Sequence, residues 1–213
     1  MSVATAADAH VAITTDLLDR GVGIVVVEKP VALRTIDAAG LAALPDASTR
    51  IAVCLQESFH RDVEPLPLGG WSGLHIERTG PEPVRAHPGL LLELAIHSLH
   101  LAATFAPGAL EVADARVTDT QLEATLREPS GFTAEIVCAW STTVGRVLRL
   151  DGDAGSRAID LLAGPQRGPD APLARLLADA AAARRSGQPP RVGLAAALTA
   201  QRIAEEIAAA GAS

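Results

Sequence analysis

Four apolar residues in a row, 24–27, end in Glu28, Lys29 and Pro30. β-Branched side chains pack well on a pleated sheet, so the run predicts a buried strand. Pro30 cannot donate to a ladder and stops it. Around this strand the spacing of apolar residues switches between strand and helix periods. Residues 3–5 predict a very short strand. Residues 8–20 have helical spacing, with Val11, Leu17 and Leu18 inward, although Thr14 and Thr15 are weak helix formers. Gly21 and Gly23 break that helix. Residues 33–44 predict a second one that buries Ile36, Ala39, Leu41 and Leu44 and is ended by Pro45, and 51–55 predict the next strand. The order β-α-β-α-β predicts a parallel sheet with right-handed crossovers.

The alternation then stops. Pro65, Pro67, Gly69 and Gly70 form a turn-rich joint, which sets a boundary within 57–70 and divides the chain into segments 1–58 and 59–213. Residues 71–79 predict a strand in which Leu74 and Ile76 alternate with His75 and Glu77, and 81–88 a loop. Residues 90–105 are the strongest helical stretch, closed by Pro107 and Gly108. Strands are expected at 111–118, 121–127, 133–141 and 144–150, with turns at 129–131 and 151–155, as an antiparallel meander. Helices over 172–185 and 194–210, separated by SGQPP, finish the chain; the Ala-rich tail is helical by propensity. There is no internal repeat.

Composition narrows the classes. Aromatic residues make up 2% and tyrosine is absent, so the core is aliphatic and tyrosine chemistry is excluded. A net charge of −7 argues against a nucleic-acid partner, which needs clustered positive charge; Arg184 and Arg185 are too little. Cys54 and Cys138 lie in separate apolar runs without a CxxC pattern, as small buried hydrophobes of a reducing compartment. No signal-peptide pattern opens the chain, and no window approaches the roughly 18 apolar residues of a membrane span. A cytoplasmic location without membrane contact is expected. Asp151 and Asp153 resemble half a calcium loop, but the remaining ligands are missing, so they are read as a turn.

Lys29 is the only lysine beside seventeen arginines. It stands at the carboxyl end of a strand, where ligands bind in open α/β sheets, and an amine that can lose its proton has uses that a guanidinium lacks. The bland alternative is a solvated residue at a strand end. On the helix from Leu90, Glu93, His97 and His100 stand at i, i+4 and i+7, which puts them on one face. In so apolar a helix that stripe points into a pocket, and an imidazole is the obvious partner for a carboxylate that is costly to bury alone. Three readings fit: a structural Glu–His pair, a metal site, or an acid/base pair. The metal reading lacks the HExxH order and a fourth ligand. His60 and His75, near the joint, either line the same pocket or are surface or interface residues. Trp71 and Trp140 are core or interface residues, or stack on a substrate.

Residues 3–10 (VATAADAH), 20–33 (RGVGIVVVEKPVAL) and 89–100 (GLLLELAIHSLH) resemble the Gfo/Idh/MocA group of oxidoreductases. The resemblance implies a Rossmann domain followed by an α/β domain whose open, mostly antiparallel sheet, with helices on one face, mediates oligomerisation. It makes Lys29 the lysine of the EKP triplet, puts Glu93 where an aspartate is usual, and makes His97 the histidine that, with the lysine, exchanges a proton with the substrate's reacting oxygen. His10 falls in the strand-to-helix turn, where a capping or packing role is expected. Several features depart from that group. No GxGxxG follows a strand and no acidic residue stands about 20 positions on for a ribose, and Gly21 and Gly23 precede a strand instead. The first element matches the group near its fourth strand, so the dinucleotide-binding half is missing. Ala95 replaces a glycine and His100 an aspartate, and the connection after Arg61 is short for the expected helix.

The expected fold is therefore a remnant of a parallel Rossmann sheet followed by an open antiparallel sheet. The expected function is a cofactor-independent lyase, isomerase or cyclase of small-molecule, specialised metabolism. Lys29, Glu93, His97 and His100 are its catalytic candidates, and Glu28, His60, His75 and Trp71 its substrate-binding candidates. No metal is expected. The alternatives are an NAD(P)-dependent oxidoreductase completed by a partner chain, and a non-catalytic binding or accessory subunit. The expected partners are a small-molecule substrate and a second copy, as a homodimer through the open sheet.

Overall fold

In the computed structural model, which describes residues 1–84, 88–153 and 155–211, the chain forms two sheets that share one core. The first carries β1 (Ser2–Val3), β2 (Val25–Val27) and β3 (Ile51–Val53) in that order, all parallel, with Val3 opposite Val27 and Val25 opposite Ile51. Every residue of β2 and β3 is buried, as expected of parallel strands covered on both faces. α1 (His10–Asp19) links β1 to β2 and turns His10, Thr14 and Leu18 inward.

The helix expected over 33–44 is not continuous. A 3₁₀ turn at Thr35–Ala38 leads into one α-turn, α2 (Ala39–Ala42), and a second, α3 (Ala47–Arg50), precedes β3. Arg34 clips the first turn by two hydrogen bonds from its guanidinium to Asp37, at 3.0 and 2.7 Å. Three residues per turn replace 3.6, so Ala38, Leu41, Leu44 and Ala47 face the core at a spacing of three. Ile36, expected inside, is 70% exposed, and Ala39 is exposed too.

The second sheet carries β4 (Trp71–Gly80), β5 (Glu111–Val117), β6 (Gln121–Arg127), β7 (Thr133–Trp140), β8 (Gly145–Gly152) and β9 (Gly155–Asp160) in the order β5-β6-β7-β4-β8-β9. It is not a simple meander. β4 is inserted between β7 and β8, parallel to β7 and antiparallel to β8. β9 was not expected: only Ala158 and Ile159 in GSRAID are apolar, which suffices for an edge strand. Where a turn was expected at 151–155, β8 continues to Gly152 and β9 begins at Gly155; residue 154 lies outside the described residues, as do 85–87 in the loop expected at 81–88.

Alternation along the strands buries Leu74 and Ile76, Leu122 and Leu126, Ala134 and Ile136, and Leu148 and Leu150 on one face. That face is covered by α4 (Ile96–Phe105) and α6 (Leu194–Gly211), which pack on each other. α5 (Pro172–Ser186) has Pro172 in its first turn and ends on Gly187, whose φ of 70° suits a left-handed cap. The segment before α6 returns to the first sheet: Val53 donates its amide to the Val192 carbonyl at 2.9 Å, and Ala52 bridges Gly193. The two sheets are thereby tied by backbone as well as by packing. No helix is long and apolar enough to cross a membrane among the described residues.

Candidate functional site

Lys29 stands where β2 ends, at a cis peptide bond to Pro30. Its side chain is 13% exposed and lies against the start of the helix that carries α4. Nζ donates to the Glu93 carbonyl at 2.9 Å and lies 3.0 Å from Glu93 Oε2. The pair forms part of the wall of a cleft of about 560 Å³, lined also by Thr5, Asp8, His10 and Pro30. The cleft opens at the carboxyl ends of β1 and β2, the position that parallel sheets offer to ligands. Glu28 serves the strand ends instead. Its carboxylate accepts the Lys29 amide at 3.3 Å and the Cys54 thiol, whose pKa is pushed up to about 12 by burial, then by the Glu28 charge and that hydrogen bond.

Among the described residues, Glu93 does not pair with an imidazole. Residues Leu91–Ala95 form a π-helical turn before α4 begins, and the wider turn changes the phase between the residues within it and those of α4. Glu93 therefore meets Lys29, while His100 and His97 reach a buried polar cluster on the sheet side. There Arg78, 1% exposed, extends from β4. Its guanidinium donates to Glu57 Oε2 and, at 3.3 Å, to Ser98 Oγ. Arg146, its cross-strand neighbour on β8, donates to Glu57 Oε1 at 3.3 Å. His100 Nε2 shares a 2.8 Å hydrogen bond with Ser58 Oγ.

Charge and burial set the ionisation of this cluster. Burial alone would raise Glu57, but Arg78, His97 and Arg146 outweigh it and hold the carboxyl at about 2. Burial, with help from Arg78, Lys29 and Arg146 and against Glu57, keeps His97 well below the usual imidazole range. His100 falls to about 4, again chiefly by burial. Both imidazoles are thus neutral at neutral pH, beside a carboxylate that is ionised. Glu57 and Arg78 were not among the expected site residues. A signal existed for Arg78, because the alternation of Leu74 and Ile76 places it inward. None marked Glu57, which lies in an irregular 3₁₀ turn, Gln56–Phe59.

The other candidates lie apart from Lys29. His60 is buried as a tie: Nε2 donates to the Ala163 carbonyl at 2.8 Å and Nδ1 accepts the Asp62 amide at 3.3 Å. His75 lies on the outer sheet face, with Glu77 at 3.0 Å and Glu135 at 3.1 Å from its two ring nitrogens. Trp71 donates Nε1 to the Pro67 carbonyl at 2.8 Å in the joint. His10 borders the cleft, with Nδ1 at 2.8 Å from the Pro30 carbonyl and Nε2 at 3.0 Å from that of Thr5, so one ring ties the turns after β1 and β2. A second depression, of about 380 Å³, lies at the opposite end of β2 beside Gly23, Arg50 and Arg184. Arg50 is committed there to the Leu18 and Val22 carbonyls.

No group of three His, Cys, Asp or Glu side chains among the described residues converges as a metal site requires. Nor do these residues fit the pyrophosphate of a dinucleotide, which needs a glycine-rich turn between a strand and a helix N-terminus. The turns after β1 and β2 read ATAAD and EKPVA.

No protein-family model and no curated protein matches the sequence. Solved structures do. UDP-N-acetylglucosamine 3-dehydrogenase from Acidithiobacillus ferrooxidans matches at 19% identity and a TM-score of 0.85, over 98% of this chain and 77% of its own. A dehydrogenase from Chromobacterium violaceum matches at 21% and 0.86, over 99% and 75%. A myo-inositol dehydrogenase from Corynebacterium glutamicum matches at 19% and 0.84, over 99% and 77%. With a short parallel sheet, a six-stranded mixed sheet and the lysine cleft at the end of β2, the chain has the fold of the Gfo/Idh/MocA-type oxidoreductases.

Proposed function

We propose that the chain is an acid–base enzyme acting on a small oxygenated molecule in the Lys29 cleft, a lyase, isomerase or cyclase whose own residues hold no redox cofactor. The observation that carries this is the Lys29 ammonium. It has three N–H donors, of which Glu93 takes two, leaving one for a substrate oxygen. Glu93 offsets the charge and aims it. A carbonyl oxygen bound to Nζ gains stabilisation as negative charge develops on it. His97, neutral and partly buried, takes the proton from the carbon next to that carbonyl and returns it to another carbon or to the oxygen, so that no electrons leave the substrate. His100, fixed by Ser58 in the buried cluster, does not contact the reacting atoms.

Proton exchange tests this directly. Purified protein incubated in D₂O with dihydroxyacetone is expected to catalyse loss of α-protons in the NMR spectrum. Lys29→Met and His97→Gln should each slow it by about a hundredfold, the scale of a positioned acid or base. Exchange that is absent, or unchanged in both variants, overturns the proposal.

A second reading is favoured by the open side of β1, which pairs only with β2 among the described residues. A strand from another polypeptide laid there would extend the sheet, and that polypeptide would hold a dinucleotide for hydride transfer, the activity named for the dehydrogenases above. Micromolar binding of NADPH or NADH to the purified chain, seen by fluorescence, would overturn the first reading, and binding that requires a second protein would establish this one.

A further inference from the structure

The polar cluster behind His97 is unbalanced. Arg78 and Arg146 bring two positive charges, and Glu57, 5% exposed, brings one negative charge. Each Glu57 oxygen accepts from one of the two arginines. His97 and His100 add no charge at neutral pH, and Lys29 is matched by Glu93. Among the described residues, one positive charge therefore remains without a counter-charge. Two polar atoms of the cluster also lack a partner: among the described residues, His97 Nδ1 and Arg146 Nε are buried without a hydrogen bond. Leaving buried polar groups unpaired is costly, and two that share one excess positive charge are matched to the same ligand.

We infer that His97 and Arg146 form an anion subsite, which receives a carboxylate or phosphate group of the substrate whose carbonyl oxygen binds Lys29. A planar or tetrahedral oxyanion accepts from guanidinium and imidazole N–H groups at once, and such charge-assisted bonds are the stronger kind. His97 links the two places through charge: Lys29 of the cleft and Arg78, Arg146 and Glu57 of the cluster all act on it, and three of those four charges are positive. The Arg146 side chain is 31% exposed, so it can swing to an entering group while Arg78 keeps Glu57. The inference rests on the acid–base reading of the cleft, and it adds the class of substrate: a small carbonyl or hydroxyl compound with a terminal acid.

Three probes on one carbon skeleton decide it by calorimetry at pH 7: glycerol, D-glycerate and glycerol 3-phosphate. At least one anion should bind about tenfold or more tightly than glycerol, as a charge-assisted pair contributes, and whichever is tighter separates a carboxylate from a phosphate ligand. In Arg146→Gln the preference should collapse to within about twofold, with Arg146→Lys between. In the wild-type protein the tighter anion should also move the His97 ring-nitrogen resonances, a readout that needs no variant. Equal binding of glycerol, a preference that survives Arg146→Gln, or unmoved His97 resonances would each overturn the inference. Anion-selective binding without α-proton exchange would leave the subsite standing and remove the proposed reaction, whereas exchange without charge preference would do the reverse.

Discussion

Glu57→Gln is expected to destabilise the fold by about 3–5 kcal/mol, the scale seen when one partner of a buried ion pair is removed. Glutamine keeps the volume and one acceptor oxygen, so packing is nearly unchanged. What it removes is, among the described residues, the one negative charge paired with Arg78, which is 1% exposed. Since domains of this kind are stable by roughly 5–15 kcal/mol, the variant is expected to lose much of its margin. Arg78→Met tests the cause. Alone it leaves a buried carboxylate facing Arg146, but combined with Glu57→Gln it removes both buried charges of the pair, and the double variant should be less unstable than the sum of the singles by about 1 kcal/mol or more. Urea unfolding measures all three. A Glu57→Gln loss below about 1 kcal/mol, the size of an exposed pair, would show that the cluster is hydrated and that solvent screens its charges.

The cluster also explains what sequence could and could not supply. Residues 24–30 were legible because three signals coincide there: a β-branched run, a proline stop and a lone lysine. Lys29 accordingly sits at the mouth of a cleft at the strand's carboxyl end. The helix after Leu90 was legible as a helix, but its side-chain phase was not. Spacing arguments assume 3.6 residues per turn, and one π turn at Leu91–Ala95 separates Glu93 from the histidines it was expected to join. The same kind of error, a 3₁₀ turn in place of an α-turn, exposed Ile36. Glu57 was invisible for a different reason. Its partner is 21 residues away in sequence and on another element, so nothing local marks it. β4 showed its strand period but not its neighbours, because register and strand order are set by packing against α4 and α6.

Acidification should unfold the protein progressively from about pH 6.5, well above the range in which carboxylates alone would act. His100 has a folded value of about 4 against an ordinary 6.5, and burial keeps His97 lower than usual as well. In the folded state both stay neutral as the pH falls, while in the unfolded chain both bind protons. The unfolded state therefore takes up more protons, and stability present above pH 6.5 is lost below it. At about 1.4 kcal/mol per unit, the His100 interval between 6.5 and about 4 is worth roughly 3 kcal/mol, with His97 adding in the same direction. Glu57 acts at lower pH. Its folded value of about 2 lies below the ordinary 4.5, so its contribution is complete above 4.5 and disappears between 4.5 and about 2. The two effects have one sign and adjoining windows, and the urea midpoint should fall without a plateau from pH 7 to pH 3. His100→Gln, whose amide can still meet Ser58, should make the upper half of that curve shallower, leaving there only the share of His97, and should leave the lower half to Glu57. A midpoint that holds level between pH 7 and pH 5 would mean that the histidines titrate freely, and with that the neutral His97 required for proton abstraction would lose its structural basis.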